Sequence, residues 1–274
     1  MKLFRLLTLF YFLLVGYASQ ADVLVLVHGW ASDANTWVRS GVQAGLMQQG
    51  WQNGGIVVST PRGIRSQISQ PLKAGRILIR VQLPAEAPMM IQASHLLAQL
   101  QFIKTRYPEH KIMIAAHSAG GVVSRVVLVN PKAPKVDMLI TIATPNLGTG
   151  RAIDALDVAD GKPFFCPGPG IDFIKTVVGG GQYQYLKDSR AALADLMPAG
   201  YSRLLTWLNQ QKHPDIEYHA IIKQEPGQGD EIVPAFSQDL NRVAALKGKA
   251  RVHLVASLHE LNPADAYLIN KILR

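Results

Sequence analysis

Residues 111–127 constrain the fold more than any other part of the chain. Lys111-Ile112-Met113-Ile114-Ala115 is a short apolar run, Ala116-His117-Ser118-Ala119-Gly120 follows it, and Gly121-Val122-Val123-Ser124-Arg125-Val126-Val127 is compatible with a helix. A strand, a tight turn centred on a serine and a helix that leaves at once can be joined only if the two backbones run close beside the turn. That requires small residues two before and two after the serine, and it holds the serine in a strained conformation. Ala116 and Gly120 occupy those positions, so the pattern reads A-x-S-x-G, one methyl group larger at its first position than G-x-S-x-G. Such a pentapeptide arises by chance in many chains. Its meaning rests on what accompanies it.

The rest of the chain repeats the strand–helix alternation. Strand-like runs lie near 23–28, 55–60, 77–83, 111–116, 137–143, 217–223 and 251–256. Several are continuously apolar, such as Val23–Val27 and Met138–Ile142, as expected of strands covered on both faces. Helix candidates span 33–49, 87–106, 119–129, 189–211, 237–246 and 263–273. In the second, Ile91, His95, Leu96, Ala98, Leu100, Phe102 and Ile103 recur at near-helical spacing, and the last opens on Asn262-Pro263, where a helix start tolerates proline. Alternation of this kind predicts a mostly parallel α/β sheet of about seven strands with helices on both faces. About 70 residues separate Thr144 from Glu217, more than one crossover helix needs. The segment at about 146–200, with Pro163, Pro167, Pro169 and Gly179-Gly180-Gly181 between apolar pieces, is read as a cap or lid over the serine. The glycine triplet is either a hinge or a plain flexible loop.

Partners for the serine occur in the right places. Upstream, Val23–Val27 runs into His28-Gly29-Trp30. Downstream, the strand run 217–223 leads to Gly229-Asp230-Glu231-Ile232-Val233-Pro234, and the run 251–256 leads to Ser257-Leu258-His259-Glu260. Serine, acid and histidine therefore follow one another, each just past the end of a strand candidate. With the Thr144-Pro145-Asn146-Leu147-Gly148-Thr149 segment, these motifs resemble those of the α/β-hydrolases of lipase and esterase type, including bacterial triacylglycerol lipases and the GPI-inositol-deacylase-like group. The resemblance covers residues 22–274 and is weakest in the middle. It implies an α/β-hydrolase fold with a cap insertion.

The chemistry expected at these positions follows. A serine hydroxyl needs a base within hydrogen-bond reach to act as a nucleophile. Ser118 is the candidate nucleophile, against a serine that only caps the next helix. His259 is the candidate general base; His253 competes but falls inside a strand run, while His95, His110, His213 and His219 fall on helices, turns or strands. Asp230 is the candidate carboxylate that orients His259, with Glu231 and Asp239 as competitors. The backbone N–H groups of Trp30 and Ala119 are the expected oxyanion donors. Trp30 and Trp37 are either pocket-lining or core, and His117 is expected to point away from the nucleophile.

Composition bounds the setting. The chain of 274 residues is 48% hydrophobic and 17% charged, enough for one large domain with a full core. A basic start with Lys2 and Arg5, an apolar run from Leu6 to Tyr17 and small residues at Ala18-Ser19-Gln20-Ala21 predict a signal peptide over 1–21. The mature domain would be 22–274, exported to the periplasm or secreted; an uncleaved anchor is the alternative. Net charge is +9, or +7 without Lys2 and Arg5. The basic residues are scattered, which argues against a nucleic-acid partner and suits either contact with an anionic membrane surface or ordinary colloidal charge. Cys166 is the single cysteine, so no intrachain disulfide forms. No zinc-like spacing or phosphate loop is present, and neither metal nor cofactor is expected. The sequence points to an exported serine hydrolase of carboxylic esters, tilted toward lipid or acyl-chain esters. An amidase, peptidase or thioesterase on the same residues, or a catalytically silent binding protein of the same fold, is the alternative.

Overall fold

The computed structural model describes residues 22–72, 75–160, 183–224 and 230–274. Residues 1–21, where a signal peptide is expected, Cys166, the glycine triplet 179–181 and Gly229 lie outside the described residues. Among the described residues, eight strands form one sheet: β1 (Asp22–Val27), β2 (Trp51–Thr60), β3 (Gly63–Ser66), β4 (Arg76–Gln82), β5 (Lys111–His117), β6 (Met138–Ile142), β7 (Glu217–Lys223) and β8 (Ala250–Val255). Their spatial order is β3-β2-β4-β1-β5-β6-β7-β8. Every neighbouring pair is parallel except β2 and β3.

The seven predicted strands are present, and β3 is an eighth. It escapes a hydropathy reading because Gly63-Ile64-Arg65-Ser66 is short and mostly polar, held only as an antiparallel edge to β2. β2 also starts four residues earlier than expected. Gly54 and Gly55 interrupt its apolar pattern at a register shift between Asn53 and Ile56, and a Cβ on Gly54 would come within 2.8 Å of Ile77 and Ile79 on β4.

Helices cover both faces: α1 (Thr36–Arg39), α2 (Val42–Gln48), α3 (Met89–Arg106), α4 (Ala119–Leu128), α5 (Arg151–Ala159), α6 (Tyr183–Asp188), α7 (Arg190–Leu196), α8 (Arg203–Leu208), α9 (Ala235–Gln238) and α10 (Pro263–Ile272). Two predicted helices are divided. Gly41, at φ +78°, separates α1 from α2, and Pro198 follows the end of α7, before α8 begins. The helix predicted at 237–246 is replaced by α9 and two 3-10 turns, because Asp239 is extended and its side chain accepts the N–H of Asn241. In α10 the prediction holds: Asn262 and Asp265 form a reciprocal capping box with Pro263 in the first turn.

The strands alternate between two apolar layers. Val23, Val25 and Val27 of β1 face the core formed with α3 and α4, while Leu24 and Leu26 face Trp37, Leu46 and Ile269 on the opposite side. β5 does the same with Ile112, Ile114 and Ala116 against Met113 and Ala115. Burial on both faces explains why these runs read as continuously apolar. Chain order reverses direction at β1, with β4 on one side and β5 on the other. A crevice at the carboxyl ends of β1 and β5 is therefore the expected place for a site.

Candidate active site

Ser118 leaves β5 with φ +51° and ψ −130° and is the residue immediately before α4. An L-residue adopts that conformation only where its surroundings enforce it, at a cost of about 1–3 kcal/mol. Here Ser118 N–H donates to the Ile142 carbonyl of β6 at 2.9 Å. The glycines permit the rest. A Cβ on Gly120 would lie 2.4 Å from the His28 carbonyl oxygen, and one on Gly29 would lie 2.8 Å from Ser118 Cβ. Ala116 is fully buried with its methyl group accommodated, so a small residue suffices at that position.

His259 stands on the loop after β8. Its Nδ1 lies 2.6 Å from Asp230 Oδ2 and its Nε2 lies 2.9 Å from Ser118 Oγ. A carboxylate only accepts, so Nδ1 carries the proton and Nε2 turns its lone pair toward the serine hydroxyl. Asp230 is buried. Its Oδ1 accepts from the N–H groups of Ile232 and Val233 at 2.8 and 3.2 Å, and its Oδ2 also accepts from Gln238 Nε2 at 3.2 Å. Glu231, the competing acid, is exposed. Asp239 is engaged with the N–H of Asn241.

The competing histidines are occupied elsewhere. His253 on β8 pairs with His219 on β7 at 3.0 Å. His213 accepts from Arg125 Nε at 3.3 Å and burial lowers its pKa to about 4. His28 is fully buried, donates from Nδ1 to the Gly29 carbonyl and accepts the N–H of Leu83 at Nε2, each at 3.0 Å. It thereby fastens the loop after β1 to the end of β4, and burial depresses its pKa.

His117, expected to point away from the nucleophile, makes its contacts with His259. Its Nε2 donates to the His259 carbonyl at 2.9 Å, and the two rings sit 5.0 Å apart. Burial holds its imidazole well below the usual histidine range, with the neighbouring His259 adding to the effect. Three further residues escape a reading of motifs. Lys223 at the end of β7 is buried, bonded to the Glu260 carbonyl and to Asp265. Gln238 braces Asp230. Arg125, fully buried in α4, bonds Asn146, Asn209 and His213 and has no carboxylate among these partners. Burial lowers its pKa to about 9. A charged residue inside an otherwise uncharged helix is the signal the sequence carries for Arg125.

A cavity of about 380 Å³ opens over Ser118, walled by Trp30, Thr36, Arg39, Ile232, His259 and Leu261. A second, smaller recess touching Ser118 is walled by Pro145, Ala152, Leu193, Leu196 and Val233. Thus α5 and α7, from the segment read as a cap, reach the serine. They share a separate apolar cluster with α6 through Ala155, Ala159, Leu186 and Leu193, against which Trp30 packs. Tyr185 of α6 accepts the Ala31 N–H at 3.1 Å. Trp30 follows Gly29 beside Ser118, and Ala119 opens α4, where a helix leaves its first N–H groups without intrahelical acceptors. Trp37 is core. The Thr144–Thr149 segment scaffolds the acid loop: Asn146 N–H donates to the Ser237 carbonyl and Thr149 Oγ1 to that of Ile232.

Comparison with known proteins agrees with this architecture. Residues 86–158, from α3 to α5, match the family model described as a PGAP1-like alpha/beta domain. No curated protein matches the chain. Among solved structures, the mature lipase BlEst2 of Bacillus licheniformis superposes with a TM-score of 0.63 at 15% identity, covering 93% of this chain and 92% of that one. The lin2722 product of Listeria innocua gives 0.61 at 16% identity over 93% and 94%. MenH from S. aureus gives 0.50 at 16% over 92% and 91%. The chain has the α/β-hydrolase fold.

Proposed function

We propose that this chain is a serine hydrolase that cleaves carboxylic esters through an acyl-enzyme. The observation that carries the reading is the unbroken line from Ser118 Oγ through His259 to Asp230, at 2.9 and 2.6 Å, opening into a cavity. Ser118 attacks the ester carbonyl while His259 Nε2 takes its proton. Asp230 holds the tautomer and stabilises the imidazolium. The N–H groups of Ala119 and Trp30 receive the oxyanion, each contributing about 3 kcal/mol of transition-state stabilisation. His259 returns the proton to the departing alkoxide, and water, deprotonated by the same histidine, releases the acid.

Lipid or acyl-chain esters are the proposed substrates. The apolar wall of Ala152, Leu193, Leu196 and Val233 beside Ser118 supports this, as does the similarity to a protein described as a lipase. Export through the leader at 1–21 and peripheral contact of the basic chain with an anionic membrane complete the proposal. A fluorophosphonate probe should label the wild type and not Ser118→Ala; a folded wild type that resists labelling refutes the enzyme reading. Hydrolysis of p-nitrophenyl esters with acyl chains from two to sixteen carbons tests the substrate class. Activity confined to the shortest esters would replace the lipase reading with that of a plain esterase.

A further inference from the structure

The acid and the histidine of the site stand on separate loops, after β7 and β8, yet one residue touches the support of both. Lys223 ends β7 and is buried. Its backbone N–H donates to Gln238 Oε1 at 2.8 Å and its carbonyl accepts from Gln238 Nε2 at 2.9 Å. The same Nε2 lies 3.2 Å from Asp230 Oδ2. The Lys223 side chain reaches the other way. Nζ donates to the Glu260 carbonyl at 2.5 Å and to Asp265 Oδ2 at 2.8 Å. The adjacent carbonyl, that of His259, accepts from His117 Nε2 at 2.9 Å. Two consecutive carbonyls of the histidine loop are therefore held by donors from two different strand ends, and Asp265 joins that loop to α10 by accepting the Asn262 N–H.

We infer that Lys223 is a positioning residue that sets His259 against both Asp230 and Ser118, its main chain indexing the acid through Gln238 and its ammonium indexing the histidine through Glu260. The Lys223–Asp265 pair is fully buried, with side-chain exposures of 0% and 1%. Burying two charges is costly, and replacing such a pair by neutral groups of similar shape often leaves stability unchanged or improved. Stability is thus a poor account of this pair. Alignment is a better one, because a displacement of about 1 Å at reacting groups lowers rate about a hundredfold. The inference rests on the serine-hydrolase reading above.

The test compares two variants on a p-nitrophenyl ester that the wild type hydrolyses. Lys223→Met with Asp265→Asn removes the ammonium and the opposing charge, while the new amide oxygen can still accept the Asn262 N–H. Its kcat should fall about ten- to a hundredfold, with KM within about twofold and a melting temperature above that of Asp265→Asn. Asp265→Asn alone keeps the Lys223–Glu260 bond but strands a buried charge. It should melt lower than the double variant yet keep the higher kcat. This inverse ordering separates alignment from stability. Wild-type kcat in the double variant, or kcat that follows melting temperature across both, overturns the inference. If Asp265→Asn does not fold, the double variant's kcat against KM decides alone. A wild type that neither hydrolyses esters nor takes the fluorophosphonate label defeats the parent proposal, an outcome distinct from an active wild type and an equally active double variant.

Discussion

Gly120 and His28 approach so closely that a single added Cβ would lie 2.4 Å from the His28 carbonyl oxygen and 3.0 Å from the Val27 oxygen. This contact joins the turn after β5 to the loop after β1 and so sets the distance between Ser118 and the backbone of Trp30. Both obstructing atoms are main chain, which no rotamer change can move. Gly120→Ala should therefore destabilise the protein by about 1–3 kcal/mol, the usual penalty for overpacking, read as a lower midpoint in urea. Under the proposed mechanism, ester hydrolysis should fall further than the loss of folded protein explains.

Asp230→Asn should preserve the acid loop and remove its function. The amide oxygen can still accept the N–H groups of Ile232 and Val233. The amide nitrogen then faces His259 Nδ1 and Gln238 Nε2, where only an acceptor fits. His259 answers by moving its proton to Nε2, the wrong tautomer for accepting from Ser118. Under the proposed mechanism kcat should drop on the order of 10⁴-fold, with circular dichroism and melting temperature near wild type. A drop below about tenfold would remove Asp230 from the mechanism proposed on the triad pattern.

Stability should decline as pH falls below about 6.5, the ordinary histidine value. Burial lowers the pKa of His28, His117 and His213, the last to about 4. The unfolded chain therefore binds protons in this range that the native state refuses, and unfolding free energy falls with decreasing pH. For His213 the slope approaches about 1.4 kcal/mol per pH unit inside its window, and His28 and His117 add to the decline in the same direction. For His213 the window runs from the unfolded value near 6.5 down to about 4. Urea titrations at pH 7, 6, 5 and 4 should show the decline. His213→Gln, which keeps an acceptor for Arg125, should flatten the slope by about one proton.

Arg125→Met should destabilise the fold by about 2–4 kcal/mol, because it leaves buried acceptors on Asn146, Asn209 and His213 without their donor. Arg125→Lys should be destabilising as well, since a single ammonium cannot reproduce the guanidinium fork across three partners. Denaturant unfolding distinguishes this outcome from a lysine that substitutes freely, which would show that the cation rather than the fork matters.

Much of the fold is legible in the chain because its cause is local. Val23–Val27 and Met138–Ile142 are apolar along their length since both sheet faces are covered, and Ala116 and Gly120 flank Ser118 since strand and helix touch there. The order of Ser118, Asp230 and His259 past successive strand ends identifies candidates for the same reason. Residues with no such pattern stayed hidden. Gly63–Ser66 becomes a strand only by pairing with β2, and residues 237–246 lose their helix to contacts that Asp239 makes with its neighbours. Lys223, Gln238 and His117 resemble ordinary polar residues at strand ends or in a short turn until tertiary contact gives each a partner up to 142 positions away. Sequence alone therefore specified the layering of the sheet and the residue types at its carboxyl edge, both written in short-range periodicity. Which of those side chains meet was decided by tertiary structure, because the carbonyls of His259 and Glu260 carry no sequence signature and are recognised solely by the donors that folding brings to them.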